Sequence, residues 1–176
     1  MSRTDPVESR PKARSAARLT EASFKDQLTG LYNRQFFEIR LEEEVRRFRE
    51  THQHLSLVLL HLDGAARPAG ATGVATWEDT LRAVAGVLLV YTRRVNVIAR
   101  CEGALFAVLM PGTALEGARQ YADRIRSYLA KSRFSRKHHV VASFGMATLS
   151  ADMAETAQDL FSHAEAALRE GRAKRP

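Results

Sequence analysis

The chain has 176 residues, 45% of them apolar, which is enough for one domain with a core and too apolar for wholesale disorder. No apolar run is long enough to span a bilayer and the N-terminus lacks the apolar stretch of a signal peptide, so a cytoplasmic location without a membrane span is expected; one cysteine, Cys101, excludes an internal disulfide. The net charge of +7 favours acidic partners, but the basic residues run from Arg3 to Arg175 and form no single footprint, so charge alone does not choose among nucleic acid, anionic lipid, a nucleotide or an acidic protein face.

Residues 1–25 stand apart. Arg3, Arg10, Lys12, Arg14 and Arg18 lie among Ser, Pro and Ala with few large apolar groups, the composition of a flexible or loosely helical basic arm. Its apolar positions Ala16, Ala17, Leu19 and Ala22 are too small and sparse for a heptad seam. The arm is therefore expected to tether an acidic partner, with the chain monomeric at micromolar concentration. The domain proper is expected over 26–176.

Within it, Phe36, Phe37, Ile39, Leu41, Val45 and Phe48 recur at helical spacing, predicting an amphipathic helix over 34–50 with Asn33 placed to cap it. The apolar run 55–62 predicts a central strand covered on both faces. Residues 64–73, with Pro68 and several small residues, predict a loop, and 77–91 return to helical periodicity. Short strands are expected at 95–99 and 106–110, joined across Glu102-Gly103 as a hairpin. Pro111-Gly112 ends the second, and Thr113 is placed to cap a helix running to about 131. A basic loop at 132–139, a strand at 140–147 and a helix at 155–170 complete the chain. This order predicts an α+β fold: one mixed sheet of about five strands flanked by helices.

The segment Asp26-Gln27-Leu28-Thr29-Gly30-Leu31-Tyr32-Asn33-Arg34, followed by Phe36-Phe37, resembles the opening motif of GGDEF (diguanylate cyclase) domains. Ser143-Phe144-Gly145-Met146-Ala147 resembles that family's S-x-G-[IV]-A strand, and 164–168 its A-D-x-A-L helix. The resemblance extends from Asp26 to the C-terminus with hardly a gap. It implies a GGDEF-like sheet whose hairpin carries the family signature. It also implies a nucleotide chemistry, since active members join two GTP molecules into cyclic di-GMP with two divalent ions, normally magnesium.

The same alignment predicts that this member is degenerate. The first-strand metal aspartate falls on His61, and G-G-D-E-F falls on Glu102-Gly103-Ala104-Leu105-Phe106, so two acids become Ala104 and Leu105. Magnesium requires hard oxygen ligands, which imidazole, methyl and isobutyl groups do not supply. The phosphate-facing lysine falls on Ala66 and a guanine-reading asparagine on Ala69. Asp63, Glu78 and Arg172 remain as residual nucleotide-binding positions. The family's R-x-x-D product-binding site appears as Arg93-Arg94-Val95-Asn96. Arg93 can still pair with phosphate or stack on guanine, whereas Asn96 lacks the second carboxylate oxygen. Two solvated arginines complementing a helix end explain the same residues without a ligand.

His61 and Asp63, two apart on a strand, share a face, with no third metal ligand in sight. Cys101, beside the hairpin turn, has no activating neighbour and is expected to be a packed thiol. The segment 133–139 is the densest basic stretch, but a charged surface loop explains it without nucleic acid. No catalytic residue, metal or cofactor is therefore expected. The leading reading is an inactive GGDEF-like domain acting through contacts with an acidic protein in bacterial cyclic di-GMP signalling. A receptor for cyclic di-GMP or GTP through Arg93 is the second reading, and a residual cyclase the third.

Overall fold

The computed structural model describes residues 23–63, 77–131, 141–149 and 156–173. The basic arm up to residue 22, the 64–73 loop with Ala66 and Ala69, and the basic loop at 132–139 lie outside these. The described elements are β1 (Tyr32–Asn33), α1 (Arg34–Thr51), β2 (Leu55–Asp63), α2 (Trp77–Tyr91), β3 (Val97–Glu102), β4 (Leu105–Pro111), α3 (Leu115–Lys131), β5 (Val141–Leu149) and α4 (Ala157–Ala173). The strands form one sheet in the order β1-β3-β4-β2-β5, with β1 parallel to β3 and every other pair antiparallel. This is the mixed five-stranded α+β fold expected from the sequence.

Side-chain alternation along β2 explains why that strand is apolar throughout. Val58, Leu60 and Leu62 join a core with Leu81, Val84 and Leu88 of α2 and Tyr121, Ile125 and Leu129 of α3. Leu57 and Leu59 face the other way, into a core with Phe37, Leu41, Val45 and Phe48 of α1 and Leu160, Ala164 and Leu168 of α4. One sheet thus separates two cores, and its central strand is covered on both faces.

Helix ends follow local chemistry. Asn33 is extended, and its side-chain oxygen accepts the Phe36 N–H at 3.0 Å, capping α1 as expected. At the other end His52 is left-handed (φ 53°) and its N–H returns to the Phe48 carbonyl. Thr156 and Asp159 cap α4 reciprocally: the threonine hydroxyl accepts the Asp159 N–H, and the aspartate accepts the Thr156 N–H.

Two expectations are corrected. Thr113 does not cap α3; its hydroxyl donates to the Pro111 carbonyl, and the Ala114 carbonyl accepts the first helical bond, from Ala118. The third strand begins at Val97, not Val95, because the Asn96 N–H turns back to the Arg93 carbonyl at 3.0 Å and leaves Val95 exposed in the turn. The strand then continues to Glu102, past the limit at 99 that apolar content suggested.

Gly145 sets the distance between sheet and helix. A Cβ there would collide with the Ala164 carbonyl and lie 2.6 Å from the Leu168 Cβ, so α4 rests directly on the β5 backbone. That close approach brings the C-terminal turns of α4 beside the end of β2.

Candidate functional site

The end of β2, the β3–β4 turn and the last turns of α4 meet at one end of the sheet. Register places His61 opposite Leu105 on one side and Ser143 on the other, while the Leu62 N–H donates to the Ala104 carbonyl at 3.2 Å. The hairpin turn is thereby fixed against β2, with Gly103 at φ +49°. In the chain His61 is more than forty residues from Ala104 and Leu105; the fold brings them together.

Asp63 is the hub of this end. Its carboxylate lies 2.7 Å from Arg172 Nη2, accepts a hydrogen bond from the buried Ser143 hydroxyl, and sits 3.0 Å from His61 Nδ1. Strand alternation explains the pairing: residues 61 and 63 point to the α4 side, and β5 supplies Ser143 from the adjacent register position. With Nδ1 protonated, the imidazole donates to the carboxylate. The sequence put His61 and Asp63 on one face of a strand, but nothing in it revealed that Arg172 joins them. Ser143 was legible only as part of a strand motif.

The hairpin turn has its own fastening. Arg34 Nη1 lies 3.7 Å from Glu102 Oε2, and both side chains are largely exposed. Arg100 Nε donates to the Gly103 carbonyl at 2.8 Å, while its Nη1 lies 3.1 Å from Asp26 Oδ2. Asp26 in turn accepts the Thr29 N–H and hydroxyl, and Gly30 turns the loop at φ +71°. Burial pushes the Asp26 carboxyl up, but the Thr29 hydrogen bonds and the Arg100 guanidinium outweigh it and hold the group below its ordinary value. The opening motif therefore serves as a clasp on the signature turn.

Other expected site residues lie elsewhere. Glu78 stands exposed on the first turn of α2, engaged by Arg82 of the same helix at 3.1 Å and not by the Asp63 cluster. Arg93 is exposed and Asn96 half-buried in the turn before β3, at the opposite end of that strand from Gly103. Here the structure adds a residue that sequence reasoning missed: Arg124 Nη2 of α3 reaches the Tyr91 carbonyl at 3.5 Å, beside the stacked rings of Tyr91 and Tyr128. Only the tertiary packing of α2 on α3 makes that neighbour visible.

A cavity of about 270 Å³ opens between α1, α4 and β3, with Phe37, Leu41, Phe161 and Cys101 among its apolar walls and Arg34, Glu38 and Glu165 among its polar ones. Arg34 Nε bonds Glu38 at 2.8 Å, so the charges here are partly spent on each other. Burial pushes the Cys101 thiol up to about 12, keeping it neutral. It is a packed thiol, as the sequence suggested. Among the described residues no cluster of three or more His, Cys, Asp or Glu is arranged to hold a metal, and no helix is long and apolar enough to cross a membrane.

This geometry has counterparts. The family model described as "Diguanylate cyclase, GGDEF domain" matches residues 23–175. The Pseudomonas aeruginosa protein named diguanylate cyclase DgcP is 34% identical over 151 residues, covering 84% of this chain; the chain spans only 22% of that relative's length. Among solved structures, the coiled coil and GGDEF domain of DgcB from Caulobacter crescentus, in complex with c-di-GMP, superposes with a TM-score of 0.79 at 23% identity, covering 93% of this chain and 88% of that one. The diguanylate cyclase SiaD of Pseudomonas aeruginosa, solved with its activator SiaC, gives a TM-score of 0.76 at 27% identity over 92% of this chain and 63% of that one. With the opening clasp, the sheet order and the β3–β4 turn all in place, the chain belongs to the GGDEF domain family.

Proposed function

We propose that this GGDEF domain does not form cyclic di-GMP and works as a protein-interaction module in cyclic di-GMP signalling, with an acidic protein as its partner. The observation that carries the reading is the state of Asp63. The carboxylate at the end of β2 is neutralised by Arg172 at 2.7 Å and hydrogen-bonded by Ser143, with His61 in place beside it. On the turn beside the end of β2, the buried isobutyl of Leu105 stands opposite His61, and Ala104, which offers only a methyl, accepts the Leu62 N–H through its carbonyl. Magnesium is held by oxygen donors in octahedral geometry, and this donor set does not fit a pair of such ions. The net charge of +7 and the basic arm support an acidic partner. SiaD bound to its activator is an instance of a related protein engaged by another protein.

A second reading, a cyclic di-GMP receptor, is favoured by one observation: Arg124 converges on the same helix end as Arg93 and Arg94, beside an aromatic pair. Guanidinium groups and aromatic faces are the usual partners of phosphate and guanine.

The test is to incubate the purified chain with GTP and magnesium or manganese and to follow products by chromatography, alongside calorimetry with cyclic di-GMP. The expected result is no cyclic di-GMP above an enzyme-free control. Product above that control overturns the proposal, and tight cyclic di-GMP binding replaces the first reading with the second.

A further inference from the structure

The outer face of α2 is unlike that of the other helices. Its last nine residues, 83–91, carry no charged side chain. Val84, Ala85 and Leu88 are buried, but Leu89 and Val90 point outward at 56% and 73% exposure, and Val95 in the following turn stands at 62%. The ion pairs of α2, Arg82 with Glu78 and Asp79, are confined to its first two turns, whereas α1 carries them along most of its length, from Arg34–Glu38 through Arg40–Glu43 to Arg47–Glu44. A surface helix normally turns polar residues to water, and contiguous exposed aliphatic groups mark a docking surface.

The charges flanking this stripe identify its occupant. Glu78 and Asp79 open the helix and share the single Arg82 at 3.1 and 2.9 Å, which leaves that end net negative, and Arg93 and Arg94 follow the helix end, all exposed. Gly86 lies midway between residues 79 and 93, and equally between 78 and 94. It is exposed, and a Cβ built there meets nothing within 4 Å, so the centre of the stripe is bare backbone that a second helix can approach closely. A surface with acids at one end, bases at the other and a small residue at the midpoint is complementary to itself under a two-fold rotation.

We propose that two copies of this chain pair through α2, antiparallel and crossing at Gly86, with Arg93 and Arg94 of each copy facing Glu78 and Asp79 of the other. Leu89 then packs near Ala83, and Val90 near the aliphatic stem of Arg82. An acidic partner complements only the arginine end of this stripe, whereas a second copy also brings two arginines to the end where Glu78 and Asp79 share one Arg82. One helix pair buries less than the roughly 1,200 Å² of a standard interface, so the dimer is weak, with a dissociation constant on the order of 10–100 µM. That is compatible with a monomer at low micromolar concentration. The pairing is independent of whether the β2–hairpin site is inactive.

The test is sedimentation equilibrium of the full chain from about 1 to about 300 µM at low salt, which brackets that range. The expected result is a reversible monomer–dimer equilibrium that Val90→Glu weakens by about 10-fold or more, because a carboxylate is then buried against an apolar face. Arg93→Glu/Arg94→Glu and Glu78→Lys/Asp79→Lys should each fail to self-associate, while an equimolar mixture of the two forms a heterodimer, since both end contacts are again of opposite sign. All four positions are exposed, and circular dichroism checks that each variant is folded. A chain monomeric throughout, an association indifferent to Val90→Glu, or a mixture that does not pair would overturn the proposal.

Discussion

Arg100 joins Asp26, 74 residues earlier in the chain, through a guanidinium nitrogen 3.1 Å from the carboxylate, and with its Nε holds the carbonyl of Gly103. Both side chains are mostly buried, at 15% and 22% exposure. The pair ties the opening loop, β3 and the signature turn into one unit.

Asp26→Asn should therefore lower stability by about 1–3 kcal/mol, the usual cost of breaking a charged hydrogen-bonded pair in a half-buried setting. Because the folded Asp26 carboxyl titrates below its ordinary value, its contribution is present above the unfolded pKa of about 4 and is lost as pH falls below it. Urea unfolding of the parent at pH 7 and pH 3 should show this loss, and Asp26→Asn should flatten that part of the profile. A cycle with Arg100→Ala should reveal coupling between the two positions.

Putting His61→Asp, Glu102→Gly, Ala104→Asp and Leu105→Glu together should still give no cyclic di-GMP. Adding Ala66→Lys and Ala69→Asn should be needed for any product to appear, because phosphate and base contacts position the reacting groups as much as the metal does. Product chromatography on both variants, with thermal unfolding to confirm folding, checks this.

Cyclic di-GMP should bind weakly or not at all, and whatever binding calorimetry detects should fall with Arg93→Ala. Asn96→Asp should tighten it by about 10-fold, since a carboxylate recovers a two-donor pairing to guanine worth about 1–2 kcal/mol. Sub-micromolar binding that survives Arg93→Ala would mean a site elsewhere.

Cys101 should react slowly with a thiol-exchange reagent at pH 8. A thiol raised from 9.0 to about 12 holds roughly 1,000-fold less thiolate than an unperturbed one. A rate near that of a free cysteine would show that the cavity between α1 and α4 opens widely.

The sequence made some of this legible and not the rest, for physical reasons. Helices α1, α2 and α3 follow from side-chain periodicity, strand β2 from a continuous apolar run, and the Asn33 cap from a local hydrogen bond, because each is encoded within a short stretch of chain. Val95 was misread as strand since an apolar side chain does not reveal a backbone turn made at its neighbour. Thr113 was misread as a cap because its hydroxyl has a competing acceptor two residues back. The two-residue β1 is defined by pairing with β3, Tyr32 opposite Ala99, and has no periodicity of its own. The Asp63–Arg172–Ser143 cluster needs three elements docked through Gly145, where even Gly145→Ala should cost about 3 kcal/mol by forcing α4 off the sheet.

Leu105 gives the fold a direction in time. In the proposed reading it takes the place of an acid in the turn, and it is 7% exposed and packed in the α1–α4 core. A leucine there contributes to holding the domain together, and a carboxylate in the same place costs several kcal/mol of desolvation unless its surroundings open. Reversion at this position is therefore opposed by stability before chemistry is reached. On that reading the substitution works as a ratchet: a core packed around leucine opposes an acid here whatever side chains stand at His61 and Ala104.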